Sequence, residues 1–364
     1  MKKYVQIVLG LLLAAFFLWW AFRGMNVHEV LAAMRGIRWF WLGVALAGIV
    51  ATFFTRILRW RYIVRTAKFV SFRSMFSSTQ IGFLANFVLP GRAGEVIRAL
   101  VLSRMEQLPF SKCFAFVALD RVTDLFGLVA VMLLSVLTFH PVDPSRIPAE
   151  AHFPDWAMAL LQPQAIRAAA VSAILALTAL VGIFVLLYVN QRLALRIADA
   201  CAGAVSKRLV GPVHRLIEHF AEGLKVFRSA GDMAKSVFFS LITWTLFAIV
   251  YQSMLYAFGL NAPWYASFLV LSLVAVAISM PGAPGFIGQF HAAILVAMVI
   301  TMPEVKLDVA RAIAIVTHLL NLIPVTVVGV ACLYLEGFGL VELRRQSESS
   351  DFTSAPAQED EPQS

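Results

Sequence analysis

Long apolar runs alternate with short clusters of arginine and lysine along most of this chain, and the runs come in two lengths. Residues 4–22, 39–55, 113–139, 166–189, 236–258 and 309–334 are apolar over stretches close to the ~20 residues a helix needs to cross a hydrocarbon layer. The stretches 75–89, 264–280 and 289–300 are shorter and abut proline and glycine. Proline removes an N–H and clashes with the preceding turn, and glycine frees the backbone. Helices should therefore break at Pro90-Gly91, with Gly94 nearby, and at Pro281-Gly282-Ala283-Pro284-Gly285, with Gly288 just beyond. The pattern predicts an all-α polytopic membrane protein with about seven full spans and two re-entrant or broken helical hairpins, at about 75–98 and 264–301.

The basic clusters orient these elements. Arg56, Arg59, Arg61, Arg65, Lys68 and Arg73 follow the second run, which assigns that loop to the cytoplasm and gives the cluster a topological role with contacts to anionic lipid. Arg59, beside Trp60, is the member expected to turn inward. Arg73 precedes the 75–89 stretch, and Arg98, Arg104 and Lys112 follow it, so the first broken hairpin is expected to enter from inside. The Pro-rich, acidic stretch 140–164 reads as an external loop. Residues 190–235, where basic and apolar positions mix, read as an amphipathic cytoplasmic connector. The uncharged turn 259–263 falls outside, so the second broken hairpin should dip from the opposite leaflet. Paired interrupted segments of opposite orientation point to an inverted-repeat arrangement with a site between them near the midplane.

Lys2-Lys3 and the first run look like a secretory leader, but no small-residue cleavage site follows, so an uncleaved span is expected. Both termini are then cytoplasmic, with Arg344-Arg345 closing the last span and a disordered tail over 346–364.

Composition agrees with a membrane protein. The 364 residues are 60% hydrophobic and 14% charged, whereas soluble domains are nearer about 45–50% and about 25%. A plasma membrane, the inner membrane of a bacterium, is the expected location. The formal charge of +9 lies in short loop clusters, which speaks for topology and against nucleic acid. Cys113, Cys201 and Cys332 lie far apart, without disulfide or metal spacing. No HExxH, GxxxxGK[ST], GxSxG or CxxC is present, so no enzyme class, cofactor or metal is indicated.

Ionisable groups at bilayer depth cost roughly 2.5–3.5 kcal/mol each on insertion scales and need partners or a wet cavity. Asn86, Arg92, Glu95 and Arg98 surround the first break. Arg92 and Arg98 offer permanently charged, planar forks to phosphate oxygens. A helix restarting after Gly91 would add free N–H groups, and Glu95 suits an amine or neutralises an arginine. Asp120 and Asp124 share a helical face in the next span, with Arg121 offset by about 100° from the first. The alternative is that Arg92, Glu95, Arg98, Arg121 and Asp124 pair with one another and hold the break in shape. Gln289 and His291 follow the second elbow and are candidates to line the same cavity, or, for His291, to pack. His318 and Asn321 suit interhelical hydrogen bonds.

On Asn86, Pro90, Arg92, Gly94, Glu95 and Arg98, then Arg121 and Asp124, then Pro284-Gly285 and Gly288, the sequence resembles the flippase-like membrane domain of the lysylphosphatidylglycerol synthetase superfamily. The resemblance covers roughly residues 1–340, and no later stretch is long enough for the soluble synthase domain of bifunctional relatives. It implies a flippase moving an aminoacylated, polyprenyl-linked or other phosphate-bearing lipid between leaflets. The expected substrate-binding set is Asn86, Arg92, Glu95, Arg98, Arg121, Asp124, Gln289 and His291, with the prolines and glycines of the two interruptions as structural breaks. Where the family commonly carries a Glu after the second break, this chain has His291. The expected partners are a phospholipid or other phosphate-bearing lipid and the membrane, with oligomers open. Two other classes fit the same elbows: a polyprenyl-phosphate-dependent glycosyltransferase or lipid-modifying enzyme, with Asp143, Glu150 and Asp155 available on the external loop, and a small-solute transporter.

Overall fold

The computed structural model describes residues 2–65, 69–89, 93–139, 162–205, 211, 230–279 and 283–348. Pro90, Gly91, Arg92, Pro281 and Gly282, most of the expected external loop, most of the connector after residue 205 and the tail beyond 348 lie outside these residues. The described chain is all-helical. It begins with α1 (Lys2–Phe22), α2 (Val27–Arg35), α3 (Trp39–Val64), α4 (Phe72–Val88), α5 (Gly94–Glu106) and α6 (Phe110–Thr138). It continues with α7 (Pro163–Val189), α8 (Gln191–Val205), α9 (Ala230–Ala257) and α10 (Ala266–Ser279). A 3-10 turn at Pro284–Phe286 leads into α11 (Gln289–Thr301), and α12 (Leu307–Leu335) and α13 (Leu340–Glu348) follow. Among the described residues, five segments are long and apolar enough to cross a membrane: α3, α6, α9, the turn with α11 (Pro284–Thr301), and α12. This is a membrane protein.

Helices in lipid associate through small residues and polar contacts, because lipid tails are as apolar as leucine. The antiparallel pair α3 and α9 shows both devices. Arg38 donates its N–H to the Ala257 carbonyl at 2.8 Å, the Thr55 and Thr243 hydroxyls meet at 2.8 Å, and Arg65 pairs with Asp232. Between them Gly48 lies where a Cβ would strike Val250. Arg311 of α12, 4% exposed, donates to the carbonyls of Ala21 and Arg23 at 2.9 and 2.6 Å, tying the end of α1 to the last long helix. A guanidinium there satisfies carbonyls that a helix C-terminus leaves open.

Helix α4 stops at Val88, Leu89 is extended (φ −99°, ψ 142°), and α5 starts at Gly94. The two helices fold back on each other: Gly82 faces Gly94 and Arg98, and the Ser71 N–H reaches Glu106 at 3.4 Å. Gly94 has to be glycine, since a Cβ would collide with the Gly82 carbonyl and the Asn86 side chain. Asn86 Oδ1 accepts the Gly94 N–H at 2.9 Å, so one helix of the hairpin caps the start of the other.

The second interruption runs from the end of α10 at Ser279 to α11. Gly285, Phe286 and Gly288 take positive φ of 71°, 56° and 87° there. Gly288 also abuts α1, where a Cβ would fall 2.7 Å from the Ala14 carbonyl oxygen. The two interruptions meet, with the rings of Phe87 and Phe286 edge to face at 5.5 Å.

Several boundaries differ from the expected ones. Helix α3 runs nine residues past the span read to residue 55, so Arg56, Arg59 and Arg61 are helical and not in a loop. Arginine is a good helix former, and buried carboxylates on α6 compensate its charge here. Lys235 belongs to α9 and not to the connector, and α13 continues through the first residues read as tail.

Candidate functional site

A cavity of about 660 Å³ lies among α3, α4, α5, α6, α9, α10, α11 and α12. That is within the roughly 300–1,000 Å³ usual for ligand sites. Its polar lining carries Arg56, Asn86, Glu95, Arg121 and Asp124, with Thr52, Trp244, His318 and Asn321. Its apolar lining includes Leu125, Leu128, Leu271, Val274, Ile278 and Phe290. Phe87 and Phe286, where the two interruptions touch, line it as well.

Behind the charged part stands a buried ion network. Arg59, 2% exposed, reaches Asp120 from its Nε at 2.8 Å and pairs with Asp124 through Nη1. Arg98 reaches the other oxygen of Asp120 at 2.7 Å and lies over the Trp60 ring, 3.7 Å from its centroid. The Trp244 indole N–H donates to Asp124 at 3.0 Å. Nearer the cavity, Arg121 pairs with Glu95 at 2.8 Å and approaches Asp124 at 3.8 Å, and the Asn86 amide reaches Glu95 at 3.4 Å.

Arg56 differs from the other arginines. Its guanidinium sits between the rings of Phe83 and Phe247, 4.6 and 5.0 Å from their centroids. Among the described residues it has no hydrogen-bond or carboxylate partner, and its Nε is buried.

The structure thus brings together Asn86, Glu95, Arg121 and Asp124, all on the cavity lining. Arg98 stands behind it, 1% exposed, and pairs with Asp120, while Glu95 is taken by Arg121. Gln289 and His291 are buried at 5% and 6% and are not among the lining residues. His291 Nδ1 accepts the Gly288 N–H at 3.4 Å, a cap on the first turn of α11. Its ring touches that of His318 with centroids 4.7 Å apart. His318 lines the cavity and donates from Nε2 to the Gly285 carbonyl at 2.7 Å, joining α12 to the second interruption. Arg92 lies outside the described residues.

Sequence reasoning missed Arg56 and Trp244 as lining residues. A usable signal was present: Thr52, Arg56 and Arg59 fall on one face of an apolar helix, which in a membrane marks the side turned to protein or water. Among the described residues no three His, Cys, Asp or Glu side chains converge as metal ligands.

Residues 7–329 match the family model of the lysylphosphatidylglycerol synthase TM region. The chain is 30% identical to a UPF0104 membrane protein of Pyrococcus horikoshii over 141 residues, 38% of this chain and 41% of that one. It is 26% identical to glycosyltransferase AglD of Haloferax volcanii over 342 residues, 89% of this chain and 53% of the relative. The chain therefore spans about half the length of these curated relatives or less. No solved structure matches it. The match over most of its length shows that the chain belongs to the family of the lysylphosphatidylglycerol synthase transmembrane region.

Proposed function

We propose that this protein is a lipid translocase that moves a phosphate-bearing lipid between the leaflets of a bacterial plasma membrane. One observation carries the reading: an unpaired guanidinium and a paired set of charges share one cavity with an apolar wall, where two interrupted helices meet. A headgroup crossing ~30 Å of hydrocarbon needs such a polar path, while its chains need apolar contact. In this reading α4–α5 and α10–α11 are re-entrant elements entering from opposite leaflets, related as an inverted repeat. Seven full spans and cytoplasmic termini complete the topology. Asn86, Arg92, Glu95, Arg121 and Asp124 are the binding set, and Arg98, Gln289 and His291 support it from behind.

The test is transbilayer movement of a fluorescent phospholipid in vesicles holding the purified protein. Arg92→Ala and Glu95→Ala should each abolish movement while the protein still inserts. Unaltered movement in both variants removes the site assignment.

A second reading, a polyprenyl-phosphate-dependent glycosyltransferase or part of one, draws on the similarity to glycosyltransferase AglD over 89% of the chain. Glycosylated product formed from a sugar donor by the purified protein would favour it over translocation.

A further inference from the structure

The charged part of the cavity and the network behind it hold four guanidiniums, Arg56, Arg59, Arg98 and Arg121, against three carboxylates, Glu95, Asp120 and Asp124. Every guanidinium but one has a carboxylate. Arg59 and Arg98 share Asp120, and Asp124 already serves Arg59, Arg121 and the Trp244 indole. Arg56 is the cation left over, and it opens on the cavity. The rings of Phe83 and Phe247 cover it through cation–π contact, which leaves the in-plane N–H fork unused. A planar fork with one uncompensated charge, in surroundings where charge is poorly screened, matches two oxygens of a monoanion.

Resting on the translocase reading, we infer that Arg56 is the anion-binding residue of this cavity, and that its ligand is the singly charged phosphodiester of a lipid whose hydrocarbon lies against α10. The aromatic pair orients the guanidinium, so that a phosphodiester completes both its hydrogen bonds and the charge balance of the cluster.

The experiment is lipid binding to the purified protein in detergent, read by native mass spectrometry. Phosphatidylglycerol should bind at least tenfold more tightly than diacylglycerol with the same chains, and inorganic phosphate should not displace it. Arg56→Gln should erase that preference, and Arg56→Lys, which keeps the charge without the fork, should fall between. Equal binding of the two lipids to wild type, an unchanged preference in Arg56→Gln, or displacement by free phosphate overturns the inference. If Arg56→Gln fails to fold, a phosphatidylglycerol carrying a headgroup photolabel decides on wild type. Adducts near Phe83 or Phe247 support the assignment, and adducts confined to other segments overturn it. Binding is read without lipid movement, so an Arg56-dependent preference with no translocation would sink the translocase reading alone. Translocation that is indifferent to Arg56 would sink only this inference.

Discussion

Replacing Asp120 by asparagine tests the ion network on which the site stands. The Asp120 carboxylate is 1% exposed and holds Arg59 at 2.8 Å and Arg98 at 2.7 Å. Arg59 keeps Asp124 after the change, but Arg98 loses its carboxylate, and its Nε and Nη2 already lack partners. The substitution therefore strands a guanidinium that is 1% exposed over Trp60. Breaking a buried pair by removing one partner costs about 3–5 kcal/mol, because the remaining charge stays desolvated. Adding Arg98→Gln removes the stranded charge, so the double variant should be less destabilised than the sum of the two single variants by about 1–3 kcal/mol. Equilibrium unfolding in mixed micelles of wild type, both single variants and the double variant closes the cycle. A destabilisation below about 1 kcal/mol for Asp120→Asn, or strict additivity, would refute the argument that this pairing is tight and dry.

Other outcomes follow from single contacts. Gly94→Ala puts a methyl group into the Gly82 carbonyl and the Asn86 side chain, and overpacking of this kind costs about 1–3 kcal/mol or more. Thermal melts should show the loss, and a wild-type melting temperature would contradict the tight α4–α5 crossing. His318→Phe removes the donor to the Gly285 carbonyl, a change of about 1 kcal/mol. Hydrogen exchange should speed up around residues 283–288, and unchanged exchange there would show that the contact does not hold the turn. Beyond the end of α12, the hydrogen bond from Arg73 holds the Glu336 carboxyl below its ordinary value of 4.5, with Ser77 donating to the same group. A depressed value means that this stabilisation is present at neutral pH and disappears as pH falls through the folded-state value. Glu336→Gln should thus melt below wild type at pH 7, and the gap should close in acid. A gap that stays constant with pH would remove the charged contact from the account.

The interruptions were legible in the sequence because they are local. Proline and glycine act within one turn, so the end of α4 before Gly94 and the turn at Pro284–Phe286 follow from residue type alone. Asn86, Glu95, Arg121 and Asp124 were legible for a related reason: polar groups in an apolar run must meet one another or water. What stayed hidden depends on partners far along the chain. Arg56 and Arg59 belong to a run of six basic residues in eighteen positions, which has the composition of a cytoplasmic loop. Only Asp120 and Asp124, some sixty residues later, make it favourable for α3 to continue through them to Val64. The position of Arg98 relative to the break likewise does not say which side of α5 faces Trp60.

That division between local and distant information bears on what the ion pairs do. Three of the four arginines in the cluster have carboxylate partners, and those pairs can be exchanged for apolar groups at little net cost in stability when the whole pair is removed. Their presence is not explained by stability alone. Specification is the better account: Asp120 fixes Arg59 and Arg98, and Asp124 fixes Arg59, Arg121 and Trp244. In this arrangement Arg56 is left as the open cation. Were Asp124 to swing to Arg56, it would occupy the N–H fork that the proposed phosphodiester needs, with the net charge of the cluster unchanged. If Arg56 is the anion site proposed above, the network behind the wall controls whether its fork is open, and a variant that frees Asp124, such as Trp244→Phe, should weaken phosphatidylglycerol binding without touching Arg56. Binding to Trp244→Phe at wild-type strength would show that Asp124 is held without the indole, and the specification argument would then rest on Arg59 and Arg121 alone.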